Sequence, residues 1–299
     1  NNIINGDGEK TDLQIYDIAK CFDSLWFKET MNKIYEANIQ DDKFSLLCEI
    51  NKKSEVAVKV PGGNLTDRHT FYEIIQQGGV WGSLQCSLQI DEIGKECLMN
   101  GQCLYKYKNI LNIPPLSFVD DILALAKCGI HSQLLNTKIT QKIKALKLEF
   151  GPEKCHTMHI GDQNTICKDL FVQNHKMENK QFDTYLGDVI KNDGTNTANI
   201  NSRYNKGVGI SNQLNLIING VSLGKQLFHI GLLLRDTNLA NGIIFNSESW
   251  YGLKMEQVEM LEKVDEMFLR QLFAAHSRTP IEFLYIESGK YLMRFTIMS

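Results

Sequence analysis

A pair of adjacent aspartates divides the short apolar segment Leu116–Leu125 into two halves. Two apolar runs around one acidic pair favour a β-hairpin with Asp120 and Asp121 at the bend. A helix is the alternative interpretation, because the segment is short. In a hairpin both carboxylates would stand on a rigid support, so this part of the chain is expected to belong to a sheet.

The rest of the sequence changes character near residue 192. After Gly194 the apolar spacing is helical almost throughout, with one clear stripe from Val258 to Leu272. We predict an α+β domain over residues 1–192 and a mostly helical domain over residues 193–299. The predicted strands of the first domain are Asp12–Asp17, Glu55–Val60, Phe71–Gln76, His156–Ile160, Leu170–Gln173 and Thr184–Ile190. Its predicted helices begin at Ser24 as a cap, cover Ser83 to about Leu98, and extend from Leu135 to Phe150 before Gly151-Pro152.

The composition is that of an ordinary globular protein. The chain has 299 residues, 43% of them hydrophobic, and a net charge of −3, which argues against disorder and repetitive folds. No apolar run approaches the roughly 18 residues of a membrane span, and no signal peptide is visible. The mild acidity gives no sign of a cationic clamp for nucleic acid. Net charge therefore leaves the partner open.

The eight cysteines all lie in the first 167 residues. None forms a C-x-x-C pair, and none lies near two histidines at zinc-ligand spacing. We therefore expect reduced, mostly buried thiols in an intracellular protein.

A third aspartate, Asp17, ends the predicted strand Asp12–Asp17. Two strand-borne sites in one sheet could bring three carboxylates together around divalent metal, and Mg²⁺ prefers oxygen ligands of this kind. Each acid also has a simpler interpretation, since an Asp-Asp pair at a bend is typically solvated and an Asp at a strand end typically caps a helix. The order and context of the whole set favour the metal site.

Five segments resemble, in order, the motifs of non-LTR (LINE-type) retrotransposon reverse transcriptases. Asp17-Ile-Ala-Lys-Cys-Phe-Asp-Ser-Leu resembles motif A, Gly79-Val-Trp-Gly-Ser-Leu-Gln-Cys-Ser87 motif B and Phe118-Val-Asp-Asp121 motif C. Gly151-Pro-Glu-Lys-Cys155 is similar to motif D, and Tyr185-Leu-Gly187 to motif E, the primer grip. The resemblance covers about residues 10 to 290. It implies a polymerase palm, a small antiparallel sheet with backing helices, followed by a mostly helical thumb or connection region.

The resemblance assigns catalytic roles to the residues that match. Asp17, Asp120 and Asp121 are expected to bind two Mg²⁺ ions, with Mn²⁺ as an alternative, and the carbonyl of Ile18 to add a ligand. Lys154 is expected to protonate the departing pyrophosphate. Taken alone, Lys154 is equally well a surface charge.

Further residues are expected to contact nucleotide and primer. Phe22 matches the steric gate that excludes a 2′-hydroxyl, with core packing as the alternative. Gly82 would allow close approach of the substrate to the backbone, and Trp81 could stack on a base or fill the core. The motif E residues are expected to hold the primer end, although they also read as an ordinary strand and bend; they are Tyr185, Leu186 and Gly187.

The chain departs from the family pattern in two respects. Trp81 stands where the family has Gln and Leu84 where it has Pro, while Cys21 replaces a small Ala. The basic fingers of the family lie upstream of motif A, and only 16 residues precede Asp17. We therefore expect a fragment from motif A onward, with weak or no polymerase activity by itself.

The function implied by the resemblance is RNA-directed DNA synthesis. Its partners would be an RNA template, a DNA primer and dNTPs, in a ribonucleoprotein of the nucleus or cytoplasm, with no membrane partner. One alternative is an RNA-dependent RNA polymerase, because Asp23 supplies a second acid after Asp17. Another is a catalytically inactive remnant that only binds nucleic acid. The sequence does not indicate an oligomeric state.

Overall fold

The structure, a computed structural model, describes residues 11–72, 75, 81–99, 103–108, 110–127, 129–160, 168–219, 225–250 and 252–298. Compactness divides the chain into a first unit, Asn2–Gln181, and a second unit, Phe182–Ser299. The boundary at residue 192 between the predicted α+β domain and the predicted helical domain stays a prediction. Within the described ranges, none of the helices combines the length and the apolar character of a membrane span.

The first unit mixes strands and helices. Its strands are β1 Thr11–Asp17, β2 Lys53–Val56, β3 His69–Tyr72, β4 Lys106–Tyr107, β5 Leu111–Asn112, β6 Leu116–Phe118, β7 Asp121–Lys127, β8 His156–Ile160, β9 Phe171–Val172, β10 His175–Lys176 and β11 Glu178–Asn179. Its helices are α1 Cys21–Ser24, α2 Phe27–Glu36, α3 Asp41–Lys52, α4 Gly82–Met99 and α5 Ile130–Ala145, with a 3₁₀ turn over Pro152–Lys154.

One five-stranded sheet forms the centre of this unit, in the order β11-β8-β1-β7-β6. The chain pairs β1 with β7 and with β8 in antiparallel fashion, and only β11 runs parallel to its neighbour. Burial alternates along β7, where Ile122, Ala124 and Ala126 are at most 1% exposed. This period of two shows one face of the sheet covered, and it confirms the predicted α+β class.

Helices α4 and α5 cover that face. The shared core contains Tyr16 of β1 and Ile18 just after it, together with Ile90 of α4 and Ile139 of α5. A polar seam crosses this core, because the amide nitrogen of Gln14 donates to the hydroxyl of Ser132 at 2.7 Å and the Tyr16 hydroxyl donates to Gln14 Oε1 at 2.6 Å. Buried polar groups are tolerated when they are satisfied in this way, and the seam fixes β1 against α5.

Several predicted elements of the first unit are confirmed. The strands at Asp12–Asp17 and His156–Ile160 are β1 and β8, and the helix from Ser83 to about Leu98 is α4. The predicted hairpin over Leu116–Leu125 is formed by β6 and β7. Gly79 of motif B, Cys128 and Cys167 lie outside the described residues. The described cysteines are all free, and all but Cys48 are buried.

Other predictions for this unit are wrong in their limits. Ser24 ends the short helix α1 rather than capping the next one, because α2 begins after Trp26 with no side-chain cap. The helix predicted to reach Phe150 ends at Ala145, since Phe150 leaves it to form a bridge with Ile18. The strand predicted over Glu55–Val60 begins earlier, at Lys53, and ends at Val56, where its pairing with β3 ends. The strand predicted over Phe71–Gln76 begins earlier, at His69, and its residues 73, 74 and 76 lie outside the described residues.

The second unit is mostly helical, as predicted. It opens with the strands β12 Phe182–Tyr185 and β13 Asp188–Lys191, and continues with α6 Thr197–Asn219, α7 Lys225–Leu234, α8 Asn241–Ile244, α9 Met255–Leu272, α10 Ile281–Ser288 and α11 Met293–Met298. The single strand predicted over Thr184–Ile190 is wrong, because a two-residue turn splits it into β12 and β13.

The core of the second unit forms around α9. Val258, Leu261 and Phe268 of the predicted apolar stripe are at most 2% exposed. A buried bidentate ion pair joins Arg235 to Asp265, with Nε–Oδ1 at 2.8 Å and Nη2–Oδ2 at 2.6 Å. Two parallel hydrogen bonds of this kind combine charge with fixed geometry.

The turn between β6 and β7 carries backbone strain. Phe118 pairs with Asp121, so Val119 and Asp120 form a two-residue loop. Val119 has φ of 57°, which suits the first position of a type II′ turn and favours glycine there. A β-branched residue with positive φ is a genuine outlier, at a cost of about 1–2 kcal/mol.

Because of this strain, we expect the glycine variant at position 119 to be more stable than the alanine variant, which reverses the usual order within a strand. Val119→Gly and Val119→Ala lose the same packing, but only the glycine relieves the backbone. We expect Val119→Gly to have a free energy of unfolding about 1 kcal/mol higher than Val119→Ala in urea titrations. The same pair at Ser117, within strand β6, should show the ordinary preference for alanine. An alanine variant as stable as the glycine variant at position 119 would contradict the turn geometry.

Candidate active site

Two of the three predicted metal-binding acids lie opposite each other in the central sheet. Asp17, the last residue of β1, pairs with Asp121, the first residue of β7. Residues directly opposite in an antiparallel pair lie on the same face, with Cβ atoms about 4.5–5.5 Å apart. The strand register therefore brings together two carboxylates that are far apart in sequence.

The third acid, Asp120, occupies the hairpin turn beside them. Its backbone carbonyl accepts a hydrogen bond from the amide of Ile18 at 3.1 Å. This bond extends the pairing of β1 and β7 beyond the strand end and holds the motif A backbone against the turn. Motifs A and C are thus joined by hydrogen bonds at the residues that carry the acids.

A small cavity of about 150 Å³ opens at this end of the sheet. It is lined by Asp17, Ile18, Lys20, Cys21, Phe22, Asp23, Asp120 and Lys154. The cavity thus gathers five of the residues singled out from the sequence. Asp121 reaches the site through its pairing with Asp17, whereas Trp81 and Gly82 do not line the cavity.

Lys154 supplies the positive charge of the site. It ends the 3₁₀ turn that begins at Pro152, and its Nζ lies 3.3 Å from both carboxylate oxygens of Asp17. The turn approaches β1 closely, because the amide of Gly151 donates to the carbonyl of Asp17 at 3.0 Å. A Cβ at Gly151 would lie 3.1 Å from Asp17 Oδ1, so glycine gives the carboxylate its space.

Burial and repulsion between carboxylates together determine the electrostatics of the site. Burial raises the pKa of Asp121, and the negative charges of Asp120 and Asp17 raise it further, while Lys154 acts in the opposite sense. The pKa of Lys154 is also raised, chiefly by its hydrogen bond to Asp17. Lys154 is thus the cation that contacts Asp17 and acts against the raised pKa of Asp121.

This donor set fits a divalent cation. Carboxylate oxygens are the ligands that Mg²⁺ and Mn²⁺ accept, and a cation would relieve the repulsion that raises the pKa of Asp121. Among the described residues, no three His, Cys, Asp or Glu side chains already converge on one point. The ammonium of Lys154 instead contacts both oxygens of Asp17, where it neutralises charge that a metal would otherwise neutralise.

Cys21, which lines the cavity, forms a thiol pair that the sequence did not single out as a unit. Cys21 Sγ lies 2.8 Å from Cys86 Sγ on α4. The hydrogen bond to Cys21, and then burial, strongly raise the pKa of Cys86. A thiol with a raised pKa stays protonated and is a poor nucleophile. The pair therefore joins motif A to the helix of motif B by packing.

The remaining predicted nucleotide contacts lie in different surroundings. Phe22 is partly buried against the core cluster, so its packing role and its place in the cavity coexist. Trp81 is 44% exposed, which excludes the alternative that it fills the core. Gly82 is the buried first residue of α4. Lys20 and Asp23 line the cavity as well, and sequence reasoning assigned no role to Lys20.

The predicted primer grip forms a tight hairpin in the second unit. Tyr185 pairs with Asp188, which leaves Leu186 and Gly187 as a two-residue loop. Both have positive φ, 47° and 86°, as a type I′ turn requires. A Cβ at Gly187 would lie 3.2 Å from the ring of Phe245, so glycine is favoured by conformation and by space.

The raised pKa of Asp121 predicts that removing its charge stabilises the protein. The folded state binds the Asp121 proton more tightly than the unfolded state, so ionisation at neutral pH costs stability. We expect Asp121→Asn to raise the urea midpoint at pH 7.5. The gain should shrink as the pH falls through the raised pKa towards the ordinary value of about 3.9, where the wild-type carboxyl is neutral too.

Glu55 is a control residue, because removing its charge is expected to change the urea midpoint in the opposite direction. Hydrogen bonds from Lys53 and Arg68 lower its pKa, so Glu55→Gln should lower the urea midpoint at neutral pH, if only slightly. An Asp121→Asn variant less stable than wild type at pH 7.5 would contradict the repulsion described above.

No curated protein sequence matches the chain. Among solved structures, Candida albicans telomerase in complex with a TWJ fragment of telomeric RNA is similar at 12% identity and a TM-score of 0.46, over 97% of this chain and 53% of that one. Candida tropicalis telomerase with the same kind of fragment is similar at 12% identity and a TM-score of 0.41, over 100% of this chain and 48% of that one. This chain thus spans about half the length of these structures.

The match to a protein family covers the first unit and extends into the second. The reverse transcriptase (RNA-dependent DNA polymerase) family matches residues 2–190, which include Asp17, Asp120, Asp121 and Lys154 and extend through the motif E hairpin. Together with the acids brought opposite each other in the palm-like sheet, this match identifies the chain as a member of the reverse transcriptase family.

Proposed function

We propose that the chain is the reverse transcriptase region of a non-LTR retrotransposon and that it catalyses RNA-directed DNA synthesis. The observation that carries the proposal is the antiparallel register that sets Asp17 opposite Asp121 beside the cavity shared by Asp120 and Lys154. The reaction is the attack of a primer 3′-oxygen on the α-phosphate of a dNTP, with pyrophosphate as the leaving group.

Asp17, Asp120 and Asp121 would hold two Mg²⁺ ions, or Mn²⁺. Bound there, the ions supply activation of the 3′-hydroxyl and stabilisation of the departing pyrophosphate. The carboxylates are suited to this role because burial and the charges of Asp120 and Asp17 raise the pKa of Asp121 although Lys154 acts in the opposite sense. The carbonyl of Ile18 is the backbone candidate for an additional ligand.

Lys154 would donate a proton to the leaving pyrophosphate. General acids act best when their pKa lies near the working pH, and the hydrogen bond to Asp17 moves the pKa of Lys154 away from that range. A metal bound by Asp17 would occupy the oxygens that Lys154 contacts and would thereby remove the hydrogen bond that raises the pKa of Lys154.

The other residues of the proposal select and align the substrates. Phe22 lines the cavity and would lie against the sugar of the dNTP, where its ring leaves no room for a 2′-hydroxyl. The exposed ring of Trp81 is available to stack on a base, an interaction worth about 1–3 kcal/mol, and Gly82 would allow close approach to the backbone. Tyr185, Leu186 and Gly187 would hold the primer end.

The partners follow from the reaction: an RNA template, a DNA primer and dNTPs. The telomerases to which the chain is similar are recorded with telomeric RNA, which is a property of those proteins. A ribonucleoprotein in the nucleus or cytoplasm would be the setting of a retrotransposon enzyme.

One observation favours a second candidate, RNA synthesis from rNTPs. Asp23 lines the same cavity as Asp17, and a second acid at this place could hydrogen-bond to a ribose. Against this reading, Phe22 lies in the same cavity and would obstruct the 2′-hydroxyl. Preference for rNTPs over dNTPs would decide for the alternative.

The proposal predicts Mg²⁺-dependent extension of a DNA primer on an RNA template. The assay uses the longest natural chain that contains residues 1–299. Asp120→Asn should lower the rate constant at least about 10³-fold, because it removes a ligand of the reacting centre. Asp42→Asn, an exposed acid at the start of α3, should leave the rate unchanged. Extension that survives Asp120→Asn, or no extension by wild type, would exclude the proposal; nucleic-acid binding without extension would indicate an inactive remnant.

The role of Lys154 predicts opposite effects on rate and on metal affinity. Lys154→Gln removes the proton donor, so the incorporation rate at saturating Mg²⁺ should fall about 10²-fold. The same change removes the ammonium that competes for Asp17, so half-saturation should occur at lower Mg²⁺. Lys147→Gln, outside the cavity, is the control. A higher Mg²⁺ requirement for Lys154→Gln would show that Lys154 does not compete with metal.

A further inference from the structure

The turn of the motif E hairpin is exposed at its tip and anchored at its base. Leu186 is 39% exposed, whereas the side chain of Asp188 is 18% exposed and that of Arg203 on α6 only 3%. A two-residue turn needs no buried charge to form. The charged base therefore calls for an explanation beyond local folding.

Asp188 is the centre of this anchor. Its Oδ1 accepts hydrogen bonds from Arg203 Nη2 at 2.7 Å and from Asn199 Nδ2 at 3.3 Å. Its Oδ2 accepts bonds from Asn246 Nδ2 and from the hydroxyl of Ser249, both at 3.2 Å. Both lone-pair regions of the carboxylate are thus used, by donors from α6 and from the segment after α8.

Arg203 connects Asp188 to the turn itself. Its Nη2 also donates to the carbonyl of Gly187 at 2.6 Å, within the two-residue loop. The guanidinium carbon lies 4.7 Å from the centre of the Phe245 ring, and a Cβ on Gly187 would lie 3.2 Å from the same ring. Arg203 therefore stacks on the Phe245 ring and also donates a hydrogen bond to the turn.

A further bond secures the outgoing strand. Asn199 Oδ1 accepts the backbone amide of Val189 at 3.2 Å. The hairpin is consequently fixed at the turn, at Asp188 and at the start of β13 by one face of α6. Burying an ion pair carries a desolvation cost that it offsets only with good geometry and further hydrogen bonds. Asp188 accepts such further bonds, whereas Arg203 Nε has no hydrogen-bond partner among the described residues.

We infer that Arg203 and Asp188 are positioning residues for polymerisation, which fix the turn Leu186-Gly187 in the place where it meets the primer terminus. The inference rests on the proposed function, because motif E holds the primer only in a polymerase. It adds residues outside the recognised motifs and assigns α6 a part in aligning the primer. Neither side chain touches the reacting atoms.

The test combines amide hydrogen exchange with single-turnover dNTP incorporation in the same full chain. Arg203→Gln should speed exchange in a peptide covering residues 185–191 and lower the incorporation rate about 10- to 100-fold at saturating substrates. The apparent Kd for dNTP should stay within about threefold, because the nucleotide pocket is intact. Arg203→Lys should recover part of the rate, and Arg278→Gln, an exposed arginine of the same unit, should change neither readout.

A milder variant guards against general unfolding. Asn246→Gly removes one hydrogen bond from Asp188, tolerates the positive φ of 59° at this position and leaves the ion pair, so it should shift both readouts in the same direction by a few-fold. Unchanged exchange at 185–191 in Arg203→Gln would overturn the anchor. Faster exchange with unchanged incorporation, or a rate loss that follows the Kd for dNTP, would overturn the positioning role. Faster exchange with no incorporation even by wild type would instead refute the proposed function, and with it the role at the primer.

Discussion

The antiparallel pairing of β1 with β7 is the interaction on which the site depends. Seven residue pairs set Thr11 against Lys127 at one end and Asp17 against Asp121 at the other. Because side chains alternate between faces, a slip by one residue would turn Asp121 away from Asp17. The buried alternation of β7 and the polar seam from Gln14 to Ser132 oppose such a slip. Core packing therefore specifies the geometry of the carboxylates.

The same end of the sheet contains two features that lower the stability of the first unit. Val119 holds a positive φ in the turn, and Asp121 ionises against Asp120 and Asp17. Strain and charge repulsion of this kind concentrate at functional sites, where rigid surroundings maintain them. Lys154 offsets part of the repulsion, and a bound cation would offset more. In the proposed polymerase, both the strained turn and the carboxylate repulsion belong to the catalytic site.

Patterns of apolar residues and acids predicted much of this from sequence. The hairpin at Leu116–Leu125 and the helix after Gly82 follow from local periodicity, and motif order led to the family. Three-dimensional contacts account for what sequence missed. Phe150 leaves its predicted helix to pair with Ile18, Thr184–Ile190 is split by a turn that needs Gly187, and the link between Arg203 and Asp188 joins residues that carry no recognisable motif.

The central claim is that the register of β1 and β7 builds a divalent-cation site. Titration of Mn²⁺ followed by electron paramagnetic resonance of the free ion measures this directly, in the presence of template, primer and dNTP. The account predicts that Mg²⁺ competes with Mn²⁺, and that Asp17→Asn and Asp121→Asn each weaken binding at least about tenfold, whereas Asp42→Asn does not. Mn²⁺ binding of equal strength in wild type and in both site variants would contradict it.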